Sequence, residues 1–501
     1  MNNTQNNPGA QLANGSIPNP SAAAGEVPLC VDLDGTFILS DVLWESVVQL
    51  WNKPATAIRA VWALRHGKAA MKSVLAEEVA IDPAALPYRE DLLAFLRSQH
   101  KAGRHLVLVT ATHRIVAEQV ADYLGIFDGV MATEGKLNLG GERKKKALVA
   151  AYGVGGFDYV GDHLKDLAIF SVARLSLLAD PSDRLREKTA KAGKVDMIFE
   201  HKRRWSKVIL RALRVHQYAK NALLGVPLIT AHLLLDASAW RNLILAFVSF
   251  SMLASATYIV NDLHDLPLDR KHQKKRFRPL ASGDISIPFG IGLAFILACF
   301  SFGITLAFLP RLFLAFLVIY TFLTLLYSFD LKRRLIVDAL TLAMLYTLRI
   351  IAGAAAISVV LSEWLLMFSL FLFVSLALLK RAIELDGITE GKRIPGRGYF
   401  PSDADIIRSI GPTSGVLSVL VFALYINSPE VTKHYSTPQM LWLLCPLLIY
   451  WITRIWFLAN RGHVDQDPIV FALMDIRSYV VSVFAGIIMF LASFDLMKVM
   501  L

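Results

Sequence analysis

From Asn221 onward the chain consists almost entirely of long apolar segments, and no other feature constrains its fold as strongly. Nine of them, each of about 17 to 25 residues, are centred near Ile229, Phe250, Phe295, Tyr320, Tyr346, Phe371, Leu420, Leu448 and Gly486. A helix of ~20 residues crosses a ~30 Å hydrocarbon core, and in lipid only a helix or a closed barrel satisfies its own backbone. Residues 222–501 are therefore expected to form an all-α polytopic domain of nine transmembrane helices, whose odd number puts its two ends on opposite faces. The chain is 55% hydrophobic and 19% charged, with a mean hydropathy of +0.48, which excludes a single soluble domain.

Loops after the even-numbered spans carry Arg270, Lys271, Lys274, Lys275, Arg276, Arg278, Lys332, Arg333, Arg334, Lys380, Arg381, Lys392, Arg393, Arg397 and Arg461, whereas the opposite loops offer little beyond Arg241, Arg311 and Lys433. The positive-inside rule then puts the amino-terminal region and those even loops on the cytoplasmic side of an inner membrane. The excess of 52 Lys plus Arg over 41 Asp plus Glu, +11, reads in so apolar a chain as loops facing anionic headgroups, not as nucleic-acid binding.

Ahead of the spans the composition changes. Residues 1–24, rich in Asn, Pro, Ala and Gly, read as a disordered tail without a signal-peptide pattern. Residues 25–200 mix charges with short β-rich runs, VPLCVDLDG, HLVLVTA and FDYVGD, separated by helical stretches, which predicts a Rossmann-like α/β domain with a parallel sheet and chemistry at the carboxyl ends of its strands. A helical insert over about 40–99 is too long for a crossover and suits a cap over the site. The basic, amphipathic stretch 201–221 suits a linker along an anionic membrane surface. Three distant cysteines, Cys30, Cys299 and Cys445, support neither a disulfide framework nor a zinc site.

In VDLDGTF, Asp32 and Asp34 stand two apart after a buried strand, followed by Gly35 and Thr36. Carboxylates at that spacing can share Mg2+ while one attacks a phosphoryl group and the other exchanges a proton with the leaving oxygen. Thr110 ends the run LVLVT, three lysines at Lys144 to Lys146 open a helix, and GDHLKD supplies Asp162 and Asp166. A hydroxyl and a lysine can bind phosphate, and two more carboxylates can complete a metal site. Four motifs in this order resemble the haloacid dehalogenase (HAD) superfamily over about Val27 to Ile198, with the cap placed as in its phosphoserine-phosphatase-like branch. The resemblance implies Asp32 as nucleophile, Asp34 as general acid and base, Thr110 as the phosphate-binding hydroxyl, and Asp162 and Asp166 as outer metal ligands. Of the three lysines Lys144 is favoured, because KKKAL resembles the family's Lys-to-Leu spacing.

The second span runs into YIVNDLHDLPLDRKHQKKRFRPLASG. Asp262, Asp265 and Asp269, at i, i+3 and i+7, are expected to fall on one helix face, with Asn261 beside Asp265. Three such carboxylates repel unless a cation joins them, and Mg2+ carrying a diphosphate suits them. Arg276 and Arg278 follow, able to grip phosphate oxygens. The NDxxDxxxD segment, with RVHQYAKN, YSFDLKRRLIVDAL, LRIIAGA and DQDPIVFALMDIRS, resembles the UbiA superfamily of intramembrane prenyltransferases across Arg214 to about Ser493. Where aromatic prenyltransferases of that superfamily carry a second aspartate-rich motif, this chain reads LLKRAIELDGITEGKR. That segment resembles the decaprenyl-phosphate phosphoribosyltransferases, which implies transfer of 5-phosphoribose from phosphoribosyl diphosphate (PRPP) to a polyprenyl phosphate. Lys220, Lys332, Lys380 and Arg381 are then candidates for the lipid phosphate or the ribose 5-phosphate.

Chemistry favours the same choice. A prenyl diphosphate donor leaves diphosphate and a neutral product, with no monoester for a fused phosphatase, whereas a phosphoribosyl donor leaves a lipid-linked ribose that still bears its 5-phosphate. Removing that phosphate gives polyprenyl-phosphoryl-ribose, which the family resemblance implies serves cell-envelope or extracellular glycan arabinosylation. The competing reading moves a polyprenyl chain onto an aromatic ring, with Glu384 and Asp386 replacing the second acidic motif; a catalytically silent carrier or scaffold is opposed by the intact aspartates. Asp465, Asp467 and Asp475 read as capping and loop-pairing residues, Lys136 as solvated surface, and Trp240 and Tyr327 as interface anchors.

Overall fold

Strands that are apolar on both faces belong inside a parallel sheet, and the runs LCV, LVLVT and DYVG have that character. In the computed structural model, which describes residues 27–135, 138–192, 195–201, 203–386, 397–429, 431, 435–464 and 467–493, they form the middle of a six-stranded sheet. Its strands are β1 (Leu29–Val31), β2 (Leu106–His113), β3 (Gly129–Thr133), β4 (Asp158–Gly161), β5 (Ser176–Ala179) and β6 (Val195–Phe199). All pairs are parallel, in the order β3-β2-β1-β4-β5-β6. The expected tail at 1–24, Lys136, Lys392, Arg393, Lys433 and Asp465 lie outside the described residues.

Alternation along the strands divides the core into two layers. Leu29, Val31, Leu106 and Leu108 face one side with Leu92, Leu96 and Val116, while Cys30, Val107 and Val109 face the other with Leu148, Phe157 and Ile169. Because β1 lies between β2 and β4, the chain leaves it in both directions, and the crevice at the carboxyl ends of β1, β2 and β4 is where the topology opens a site. Four helices connect β1 to β2: α1 (Val42–Gln49), α2 (Pro54–Ala63), α3 (Lys68–Glu78) and α4 (Glu90–Lys101). The Asp41 carboxylate caps α1 by accepting from the Leu43 and Trp44 amides. The first three helices form the insert expected as a cap, and α4 buries Leu92, Leu93 and Leu96 against the sheet.

The chain divides into two compact units, one running to Ala212 and including Asp262–Gly292, the other comprising Leu213–Asn261 and Leu293–Leu501. The loop between the second and third expected spans thus belongs to the first unit. All nine apolar positions are helical, but not equally long. Among the described residues, seven helices have the length and apolarity to cross a membrane: Ala237–His264 (α7 below, after α5, Arg114–Leu124, and α6, Glu142–Tyr152), Ile287–Phe308, Arg311–Phe329, Val337–Ala356, Glu363–Leu385, Pro401–Ile426 and Pro438–Asn460. Ile476–Ala492 is shorter, and the segment around Ile229 is a 3-10 stretch, Val215–Gly225, followed by a short helix, Val226–Thr230. Gly225 and Pro227 stand at that change, where glycine weakens a helix and proline favours its first turn.

Candidate active sites

The loop leaving β1 reverses at Gly35, whose φ of +75° suits glycine, and a Cβ there would collide with the Asp162 carboxylate. That absence of a side chain brings the ends of β1 and β4 together. Asp32, Asp162 and Asp166 each present a carboxylate oxygen within 4.8 Å of the others, a grouping of three acidic side chains close enough to hold an ion. Lys144, on α6, reaches Asp32 Oδ1 at 2.8 Å and donates to the Tyr159 hydroxyl at 3.2 Å. Lys145 instead lies 4.0 Å from Glu142. Thr36 donates to Asp162 at 2.9 Å, and the His163 amide donates to Asp166 at 3.1 Å.

Burial raises Asp32 above the ordinary carboxylate range, opposed by the Lys144 charge. Burial also pushes Asp162 up to about 7, helped by the charges of Asp32 and Asp166. Lys144 is held above its usual value: its burial acts against the charged form, but Asp32 and Asp166 outweigh that. An all-oxygen, anionic set of this kind fits a hard divalent cation such as Mg2+.

Asp34 differs from the expectation that it joins the metal set. Its carboxylate points away, accepting from the Val42 amide at 2.9 Å and the Thr112 hydroxyl at 2.6 Å, with Thr110 at 3.4 Å. The physical reason is the entry into α1: the free amide of Val42 at the helix start attracts a carboxylate. Burial raises Asp34 as well, and the Thr112 bond opposes the rise. Thr110 and Thr112 lie on one face of β2 because strand side chains repeat every two residues, and Thr112 makes the shorter contact; that period was the available signal for it. A small, open cleft is lined by Val42 and Thr112, the two partners of Asp34, together with Leu43, Ser46 and Lys72 among others. Lys72, on α3, donates to the Ala111 carbonyl at 2.6 Å, and burial lowers its pKa despite Asp34 and Asp41.

The second acidic segment is not one helix. α7 ends at His264, and a separate helix, α8 (Leu266–Lys271), begins after Asp265, where Pro267 takes a first-turn position. Asp262, Asp265 and Asp269 therefore do not share a continuous helix face, and Arg278 lies between two of them, 2.9 Å from Asp262 and also bonded to Asp269. Burial pushes Asp269 up to about 6, with Arg278 pulling against it. Arg276 stacks over Phe277, 4.8 Å from its ring centre.

Within the second unit Lys220 is buried and paired with Asp467, and Lys380 lies 3.8 Å from the same carboxylate. Asp467 also caps the helix Pro468–Met474 and Asp475 caps Ile476–Ala492, as expected. Lys332 reaches Asn261 at 3.5 Å. Arg381 departs from its expected role: it is 0% exposed and ion-paired with Asp338 at 2.9 Å and with Glu384, so its guanidinium is committed inside the bundle. Tyr327 is not a lipid-facing anchor either, because its hydroxyl donates to Asp338 at 2.9 Å and accepts from Arg397 at 2.7 Å. A polar group in an apolar bundle is stabilised by internal partners of this kind.

Residues 224–478 match the UbiA prenyltransferase family, and residues 29–171 match the haloacid dehalogenase-like hydrolases. The uncharacterized protein y4nM of Sinorhizobium fredii is 36% identical over 91% of this chain and 89% of its own length. The nodulation protein NoeC of Azorhizobium caulinodans is 34% identical over 54% of the chain and 88% of its own. Decaprenyl-phosphate phosphoribosyltransferase of Mycolicibacterium smegmatis is 33% identical over 53% of the chain and 86% of its own.

Proposed function

Because the chain belongs to the UbiA prenyltransferase family and carries a haloacid dehalogenase-like hydrolase domain ahead of it, we propose that it transfers 5-phosphoribose from PRPP to a polyprenyl phosphate and then removes the 5-phosphate. The protein is an integral membrane enzyme with a transferase and a phosphatase domain. The observation that carries the proposal is the grouping of Asp32, Asp162 and Asp166 with Lys144 on the same chain as the transferase. A phosphatase fused to a transferase calls for a transfer product that is a phosphomonoester, and phosphoribosyl transfer gives one. The relative named decaprenyl-phosphate phosphoribosyltransferase supports the same reading.

In the transfer, an oxygen of the lipid phosphate attacks the anomeric carbon of PRPP, and the bond from that carbon to diphosphate breaks. Asp262, Asp265 and Asn261 would hold Mg2+ and the diphosphate, with Arg276 and Arg278 on its oxygens and Lys220, Lys332 and Lys380 serving the lipid phosphate or the ribose 5-phosphate. In the hydrolysis, Asp32 attacks the 5-phosphate while Asp34 protonates the departing ribose oxygen, and water then frees Asp32 with Asp34 accepting a proton. Thr110 and Lys144 would bind the phosphoryl oxygens. Asp32, Asp162 and Asp166 would hold Mg2+, which would supply charge neutralisation there. Both steps belong on the cytoplasmic face of the inner membrane, with the product serving arabinose-donor synthesis.

The aromatic reading needs Glu384 and Asp386 as a second diphosphate site, yet Glu384 is paired with Arg381 and Asp386 with Arg408. Purified wild-type protein and Asp262→Asn, given PRPP labelled in the ribose and polyprenyl phosphate, test the transfer. Label enters the lipid phase with the wild type and falls at least about a hundredfold with the variant, the loss expected when a group stabilising transition-state charge is removed. Label confined to the aqueous phase for both would overturn the reading.

A further inference from the structure

The loop that carries the transferase's proposed aspartates is built into the phosphatase unit. Arg270, next to Asp269 on α8, places its guanidinium on Glu45 of the cap helix α1 in a two-pronged pair, 2.8 Å and 2.6 Å, with both side chains at most 7% exposed. Its Nε donates to the Ala281 carbonyl at 3.1 Å, so the same side chain also ties down the returning limb of the loop. Around this pair Lys271 meets Asp82 at 2.6 Å, and His201 meets Asp284 at 2.8 Å. Gly283, at φ +78°, brings its backbone so near Leu39 that a Cβ would lie 2.5 Å from the leucine Cβ.

We infer that Glu45 is a positioning residue for the transferase: through Arg270 it fixes α8 and with it the orientation of the Asp269 and Asp265 carboxylates toward the diphosphate of the phosphoribosyl donor. This rests on the transfer reaction proposed above. A planar guanidinium bound at both prongs and at Nε has no rotational freedom left, so the helix turn that bears it is held in angle as well as in place. Nothing in the hydrolytic chemistry uses Glu45, which stands one helical turn beyond Val42, the residue whose amide holds Asp34. A buried carboxylate with no part in the phosphatase reaction, paired with a loop of the other catalytic domain, is explained if the fusion supplies rigidity to the transferase.

The test uses full-length protein in detergent micelles or nanodiscs. Glu45→Gln keeps the shape and removes the charge; Glu45→Arg combined with Arg270→Glu restores a pair with reversed polarity. Expected for Glu45→Gln is a kcat/KM for PRPP at least about tenfold lower, mostly through KM, while hydrolysis of p-nitrophenyl phosphate stays within about twofold. Amide hydrogen exchange over residues 262–283, measured without Mg2+ or substrate, rises in Glu45→Gln and returns toward the wild-type level in the double variant, as does KM. Unchanged transfer in Glu45→Gln, or equal losses of transfer and hydrolysis, would overturn the inference. Absence of PRPP transfer by the wild type would instead overturn the function on which it rests.

Discussion

Replacing Lys144 by Met removes the side-chain cation seated on Asp32 while nearly keeping its volume. At 2.8 Å, with an effective dielectric constant of about 20, the attraction is 332/(20 × 2.8), or about 6 kcal/mol. Desolvation of two buried groups offsets part of it, and deleting one partner of such a pair costs about 3–5 kcal/mol because the other charge stays buried. Here the stranded carboxylate also faces Asp162 and Asp166. Without Mg2+ the phosphatase domain of Lys144→Met should therefore melt roughly 6–20 °C below the wild type, since 1 kcal/mol is about 2–4 °C for a domain of this size. With saturating Mg2+ the gap should shrink, because the cation neutralises the same carboxylates. Turnover should still fall by about 10²–10³, the usual loss when a donor to developing charge is removed. Thermal unfolding of the full chain in detergent, with EDTA and with Mg2+, beside p-nitrophenyl phosphate hydrolysis, measures all three. An equal melting deficit in both conditions, or turnover within about threefold of wild type, would refute the electrostatic reasoning.

Thr112→Val removes the 2.6 Å donor to Asp34 and should slow hydrolysis about tenfold while leaving PRPP transfer unchanged, as read in parallel assays. Gly35→Ala forces a Cβ onto the Asp162 carboxylate at a φ unfavourable for alanine, so phosphatase turnover should fall and the concentration of Mg2+ needed for half-maximal rate should rise. Arg381→Met leaves Asp338 buried without its closest cation and should destabilise the membrane domain by about 3–5 kcal/mol, seen as lower yield and earlier melting in detergent. A phosphate-binding arginine would instead leave stability intact and raise KM.

The phosphatase-type fold was readable because its strands are short, apolar on both faces and end in Asp, Thr or Gly, so the order of motifs and the crevice follow from topology. The spacing of VDLDGTF and GDHLKD told which carboxylates to gather, but not that Asp34 turns to the start of α1, since an amide in need of an acceptor is invisible until the helix boundary is known. The spans were readable from apolar length. Their breaks were less so: Pro267 is in plain view, yet helix periodicity alone carried Asp262 to Asp269 past it. Arg381 and Tyr327 looked like a cytoplasmic cation and an interface anchor, because sequence position at a span end says nothing of a carboxylate, Asp338, brought beside both from the helix that lies between theirs in the sequence. The Glu45 to Arg270 pair spans 225 residues and has no local pattern at all.

The central claim is that one chain makes a phosphoribosyl lipid and then dephosphorylates it. Purified wild type and Asp32→Asn incubated with Mg2+, PRPP and a polyprenyl phosphate, with lipid products resolved by mass, test it most directly. The account predicts ribosyl lipid from the wild type and its 5-phosphorylated precursor from Asp32→Asn. No ribosylated lipid from either protein, beside an active control transferase, would contradict it.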